Sequence, residues 1–274
     1  MSVRRVGVDL LAPLLPWSDS ARRMSPTFLV VGTKRGGTTS TYHWIVRHPS
    51  IAPCRALKGT HYFDVNYGRG PGWFRSKFEP LSSGFQITGE ASPYYMFHPL
   101  APARIARALP DVKLILVLRD PVARLWSHYQ YEVARGHEHL SVTEAVAAEP
   151  SRLRGEVQRM QADPAYESFS YRHHSYLSRG HYAEQLERLY EFFAAEQVLI
   201  LQSERLFADP NLELTKVWEF LDVPPVRLAG LTAMKQGRYS AMPEEQVEQL
   251  REYYRPHNRL LYALPGIDFT WSAN

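Results

Sequence analysis

The chain has 274 residues, a hydrophobic fraction of 45% and a formal net charge of +4, which fits one large domain, or two small ones, with a sizeable core. The mild basic excess suits an anionic ligand; without a basic run interleaved with aromatics it argues against nucleic acid. The single cysteine, Cys54, excludes an internal disulfide framework and argues against a cysteine-based zinc site, and it suits a reducing cytosol.

Residues 1–5 are basic and residues 6–17 fairly apolar, but Asp9, Pro13 and Pro16 interrupt the run and no small-residue cleavage site follows. A signal peptide is not expected, and no stretch reaches the apolar length of a membrane span. Residues 1–26 are expected to be a surface-packed leader; the sharper alternative is a weak interfacial anchor giving peripheral membrane association. Residues 27–274 follow as a single domain.

An apolar strand at residues 28–31 runs into Gly32-Thr33-Lys34-Arg35-Gly36-Gly37-Thr38-Thr39-Ser40, and a helix at 39–48 stops before Pro49. Residues 86–89 form a shorter strand. Lys113–Leu118 is a continuous apolar run, the pattern of a strand buried on both faces. A helix at 121–135 opens with Pro121 after Asp120, which serves as its cap rather than as a metal ligand. Residues 136–175 are polar and irregular, with surface helices at 143–148 and 151–161, and form an elaboration on the acceptor side. A helix at 182–195, a strand at 198–201 and helices at 212–221 and 243–254 complete the chain. Apolar runs alternating with amphipathic segments give an α/β fold with a central parallel sheet flanked by helices.

A strand, a glycine-rich loop and a helix start make a cradle for an oxyanion, because backbone N–H groups and the helix dipole converge there. Gly36, Gly37, Thr38, Thr39 and Ser40 supply N–H and hydroxyl donors, and Lys34 and Arg35 supply positive charge. A Walker loop would place its lysine where Thr38 stands, so a triphosphate is poorly served and a shorter phosphosulfate fits better. A second signal is Arg119 at a strand end with Ser127 on the next helix, positioned to grip another phosphate. His173 and His174 are adjacent; on an extended segment they point to opposite sides, so joint metal chelation is not expected. No metal is expected anywhere.

The loop together with Arg-Asp-Pro-Val-Ala-Arg-Leu-Trp-Ser at 119–127 resembles the 5′-phosphosulfate and 3′-phosphate motifs of sulfotransferases that use 3′-phosphoadenosine 5′-phosphosulfate (PAPS). Residues 58–64 are similar to the K-E-x-H-F-F-D segment of heparan sulfate sulfotransferases, and 89–95 to their G-E-K-[ST]-P-x-Y. Gly237-Arg238 resembles their late nucleotide-contact motif, and 255–271 their C-terminal segment. The likeness covers roughly residues 27–271. It implies a fold related to P-loop nucleoside triphosphate hydrolases. It also implies in-line sulfonate transfer to a hydroxyl of a small molecule, glycan or glycolipid, releasing 3′,5′-adenosine bisphosphate (PAP).

By that resemblance Arg35 stands where the family has lysine; it keeps the charge but cannot donate a proton, so Lys34 or Lys58 would supply any acid. The family's glutamate base falls on Gly59. His61 is then the nearest substitute base, or an acceptor-binding group, with Glu90 the second candidate or else a carboxylate paired near the site. The aromatics Tyr62, Phe63, Tyr67, Trp73 and Phe74 line an acceptor pocket or pack core and lid. The competing readings are a P-loop kinase or NTPase and a non-catalytic nucleotide-binding protein. The expected setting is a bacterial cytosolic enzyme.

Overall fold

The computed structural model describes residues 23–56, 59–234 and 239–271. Its five strands are β1 (Phe28–Gly32), β2 (Ile51–Ala52), β3 (Ile87–Ala91), β4 (Lys113–Leu118) and β5 (Val198–Gln202). They form one parallel sheet in the order β2-β3-β1-β4-β5. From β1 the chain goes to the edge strand β2, returns to β3 beside β1 and then crosses to β4 on the other side, so the carboxyl end of β1 is the point where the strand order reverses. Crevices open at such points in parallel sheets. Phe28, Leu29, Val30 and Val31 are wholly buried, and so are Leu114 to Leu118, because helices cover both faces.

Helix α1 (Thr38–Ile45) follows the glycine-rich loop, and α4 (Pro121–Ala134) follows β4. Asp120 does cap α4, accepting from the Ala123 N–H at 2.8 Å. The sequence reading gave neither α2 (Gly70–Arg75) nor α3 (Ala101–Ala108). It also did not give the two-residue β2, which is too short to carry a periodicity.

The 136–175 segment holds three helices rather than two: α5 (Val142–Leu153), α6 (Glu156–Ala162) and α7 (Phe169–His173). Ser141 and Glu144 form a capping box that starts α5. Val142 and Ala145 of α5 join Val122, Leu125 and Tyr176 in a separate apolar cluster, which fastens the elaboration to α4.

The C-terminal third contains α8 (Tyr182–Tyr190), α9 (Ser203–Ala208), α10 (Pro210–Phe220) and α11 (Glu244–Tyr262). The helix expected at 182–195 ends five residues early, at Tyr190. Helix α11 runs eight residues past the expected stop, straight through Pro256. An interior proline costs a helix about 3 kcal/mol. The wholly buried Leu261 and the Tyr262 hydroxyl, which accepts from the Trp271 N–H at 2.9 Å, anchor the far end against that cost. Of the proposed leader, residues 1–22 lie outside the described residues; Met24 is buried, and its N–H donates to the Glu79 carbonyl at 2.8 Å.

Candidate active site

The loop after β1 packs so tightly that its glycines are obligatory. A Cβ on Gly36 would lie 2.3 Å from the Val117 carbonyl oxygen, and one on Gly37 would lie 2.6 Å from the Phe207 ring, at a φ of +105°. Gly37 is also the N-cap of α1 and has no side chain to cap it, so the first N–H groups of the helix face the cavity. No acidic residue occupies the first turn. This arrangement has the geometry of an oxyanion cradle. Gly36 through Ser40 line a cavity of about 970 Å³ together with Lys34, Arg35, Arg119 and Ser127, so the structure brings the two expected phosphate-binding groups into one space. Ser40 also accepts from the Met234 N–H at 2.8 Å, which ties the segment before α11 to the loop.

Two faces of α4 do different work. Asp120, Ala123, Ser127 and Tyr131, three or four residues apart, line the cavity. Arg124, His128 and Glu132 form the next stripe and are wholly buried. Arg35 joins the loop to the first face: its Nε donates to Ser127 Oγ at 3.0 Å, and its guanidinium lies 4.8 Å from the Tyr131 ring centre. Arg35 adopts φ +71°, a left-handed conformation that non-glycine residues hold only where the surroundings force it. Burial pushes Arg35 down from its ordinary 12.5, with Tyr239 and Tyr131 opposing, and it stays charged. Arg119 reaches the loop at the Arg35 carbonyl (3.4 Å), while its own carbonyl accepts from the Tyr182 hydroxyl at 2.8 Å.

The third wall carries His61, which also has a positive φ, +49°. Its Nδ1 lies 2.8 Å from Asp64 Oδ2, so an ionised Asp64 fixes the proton on Nδ1 and leaves Nε2 as the acceptor. Glu90 holds this loop from behind. Its carboxylate accepts from the Thr60 N–H (3.0 Å), the Thr60 hydroxyl (3.2 Å) and the Ser92 hydroxyl (2.7 Å), and Ser92 Oγ in turn accepts from the His61 N–H at 2.9 Å. Glu90 is wholly buried and does not line the cavity; burial raises its pKa against those hydrogen bonds.

Of the two candidate bases, then, only His61 faces the cavity, and Glu90 has the geometry of a clamp. Glu90→Ala should lower unfolding stability by about 3 kcal/mol, because it leaves several buried donors unmade. Denaturant unfolding measures this, and nucleotide binding at the glycine-rich loop should persist.

Most of the aromatics after His61 are packing residues, while Trp73 lines a second cavity beside Gly59 and Thr60. Tyr62 stacks on Phe74 with ring centres 4.6 Å apart, Phe63 and Phe74 are wholly buried, and none of the five lines the cavity at the glycine-rich loop. Lys58, Gly237 and Arg238 lie outside the described residues.

Tyr131, Arg135, Arg172 and Arg179 line the cavity without a motif to announce them, and so does His173, read from the sequence only as one of a pair not expected to chelate metal; of these, Arg172 and His173 belong to the 136–175 elaboration. Arg179 is buried with its guanidinium 4.4 Å from the Phe97 ring centre and donates to the Tyr171 and Arg172 carbonyls; burial lowers its pKa to about 10. The two adjacent histidines lie at the end of a helix rather than on an extended strand. His173 Nδ1 is 2.9 Å from Glu132 Oε2, and His174 Nε2 is 2.9 Å from the His137 carbonyl. Lys34, expected to face a ligand, points its Nζ at Glu132 Oε1, 2.6 Å away, while still lining the cavity.

An open parallel sheet with a glycine-cradled oxyanion loop at its switch point, flanked by arginines but lacking a Walker lysine, defines a P-loop-like group-transfer enzyme. The comparisons make this specific: the sulfotransferase domain family matches residues 25–259, and the chain belongs to that family. It is 31% identical to human heparan sulfate glucosamine 3-O-sulfotransferase 6, over 98% of this chain and 80% of that protein. Mouse heparan sulfate glucosamine 3-O-sulfotransferase 3A1 is 30% identical, over 99% and 70% respectively. A crystal structure of a sulfotransferase from Alicyclobacillus acidocaldarius superposes with a TM-score of 0.72 at 26% identity, covering 89% of this chain and 97% of that one. The protein is a sulfotransferase with the P-loop-like fold of its family.

Proposed function

We propose that the cavity binds PAPS and passes its sulfonate to a hydroxyl of a glycan, glycolipid or small-molecule acceptor. The observation that carries the donor assignment is the Gly36 cradle with Arg119 and Ser127 in the same cavity. One anion sits on the loop N–H groups with Thr38, Thr39 and Ser40, and a second is gripped by Arg119 and Ser127; Gly237 and Arg238 are further candidate donor contacts. No lysine stands at the Walker position, which disfavours a kinase or NTPase.

In sulfonate transfer the leaving phosphate gains charge while the acceptor hydroxyl loses a proton. Arg35, forced into the loop and braced by Ser127 and Tyr131, is the fixed positive charge on the leaving side. His61, with Nδ1 held by Asp64, takes the acceptor proton at Nε2. Lys58 remains a candidate acid. The relatives named as heparan sulfate glucosamine 3-O-sulfotransferases support a glycan acceptor, and the 136–175 segment, which adds Arg172 and His173 to the cavity lining, is the acceptor-side elaboration. A reducing compartment suits Cys54, whose burial pushes its thiol up to about 12 and leaves it unreactive.

Thermal shift with PAP, 5′-AMP and ATP plus magnesium tests the donor, since a ligand of the folded state alone must raise stability. PAP should stabilise most; equal shifts with PAP and AMP would sink this reading. Arg119→Ala should erase the preference, a loss of about 2–3 kcal/mol for a charged contact, and a retained preference would reject Arg119 as the 3′-phosphate ligand.

A further inference from the structure

Glu132 stands where the oxyanion loop meets the elaboration, and its one carboxylate serves four basic side chains. Lys34 Nζ donates to Oε1 at 2.6 Å, and His128 Nε2 lies 3.3 Å from the same oxygen. His137 Nδ1 and His173 Nδ1 each lie 2.9 Å from Oε2. Burial works to raise the Glu132 pKa, but the nearby His128 ring, the hydrogen bond from His173 and the Lys34 charge outweigh it and hold the group ionised. An ionised carboxylate only accepts, so both Nδ1 atoms carry protons.

One negative charge cannot balance four cations in a buried site. Arg124 and Arg179, both buried, add their fields, and Arg35 and Arg172 stand on the flanking cavity walls. Burial lowers the pKa of His128 and of His173, so both rings tend to the neutral form. Lys34 is then the marginal cation of the cluster. Among the described residues its only other hydrogen-bond acceptor is the Arg172 carbonyl at 3.2 Å, and its side chain is 17% exposed. Burial first, then Arg179, bring it from 10.5 down to about 7, against the pull of Glu132. The carboxylate and two imidazoles are also metal-ligand types, but the surrounding lysine and arginines oppose a dication there.

We propose that Lys34 is a proton-exchanging residue of the donor site: it enters the donor complex by taking one proton from solvent, with Glu132, clamped by His137 and His173, as its fixed counter-ion. The inference rests on the PAPS reading above. Anions of the nucleotide brought into the cavity favour the ammonium over the amine, and no covalent bond changes: the amine gains a proton and becomes the ammonium. Arg35, beside it, cannot take part because its guanidinium keeps its charge. The arrangement makes affinity for the donor depend on pH above neutrality.

The sign follows from the lowered pKa. Below about pH 6 Lys34 is already charged in the free enzyme and binding takes up almost nothing there; near pH 8 it is mostly neutral, and uptake approaches one proton. The test is calorimetric titration of the full chain with PAP at about pH 8, in two buffers of different ionisation enthalpy. The expected result is an uptake of roughly 0.5–1 proton per PAP, and an affinity that falls up to about tenfold per pH unit above neutrality. Lys34→Arg keeps the charge and the Glu132 pair, and it should bind PAP without that uptake and with a flatter pH dependence. PAP binding by the wild type with no buffer dependence overturns the proposal, as does an unchanged uptake in Lys34→Arg. If PAP does not bind at all, the donor reading falls and takes this inference with it.

Discussion

Gly59→Glu, which restores the glutamate typical of heparan sulfate sulfotransferases, should cost this protein activity rather than add to it. A Cβ on Gly59 would lie 2.0 Å from the Ala91 carbonyl oxygen and 2.6 Å from Ser92 Oγ. Those atoms cannot simply move aside. Ala91 ends β3, which is paired to β1, and Ser92 is the bridge between Glu90 and the His61 N–H. The loop has closed onto the strand end, so a side chain at this position must break the Glu90–Thr60–Ser92 clamp before it reaches the cavity. We expect a stability loss of about 3 kcal/mol or more, which for a chain this long is a fall in Tm of roughly 6–12 °C. Gly59→Ala carries the same Cβ without the carboxylate and should lose a comparable amount. Calorimetry and turnover of both variants decide the matter. A Gly59→Glu protein with wild-type Tm and faster turnover would mean that the loop opens freely and that the base position is merely vacant in sequence.

The difference between what was legible in the sequence and what was not follows from how local each signal is. β4 shows itself because five residues buried on both faces, Leu114 to Leu118, leave an uninterrupted apolar run. The loop at 32–40 shows itself because glycine, hydroxyl and basic residues crowd one turn, and Arg119 and Ser127 because a strand end and the next helix face lie close in sequence. Glu132 gives no such sign. It is one acid in an ordinary helix, and its role exists only because α4 turns it toward a loop lysine 98 residues earlier and a histidine 41 residues later. Arg179 is hidden for the same reason: a buried arginine reads from sequence as a surface one. The clamp on the His61 loop is half visible, since Glu90 reads as either a second candidate base or a carboxylate paired near the site, but only packing shows which way its carboxylate turns.

His61→Asn should lower kcat by about 10²–10³-fold while leaving the Kd for PAP close to that of the wild type. Two features of the structure support that split. His61 lines the cavity from a loop whose backbone is fastened at Ser92, just past β3, rather than to the oxyanion loop. Its partner Asp64 is itself fixed, because Asp64 Oδ1 accepts from the Val65 N–H at 2.6 Å, so the imidazole is aimed by a carboxylate that cannot swing away. Asparagine keeps a side chain of similar reach at the strained φ of +49°, a conformation asparagine tolerates better than most residues, and so removes the base with little backbone penalty. Asp64→Asn should give a smaller loss, roughly 10–100-fold, because the imidazole remains but its Nδ1 tautomer is no longer imposed. The measurement is sulfonate transfer from labelled PAPS to the best acceptor of a glycan and phenol panel, with PAP binding by calorimetry as the control. Near-wild-type turnover in His61→Asn would leave the ring an acceptor-binding group. A joint loss of turnover and PAP affinity would instead place His61 on the donor side, and the acceptor proton would then need another base.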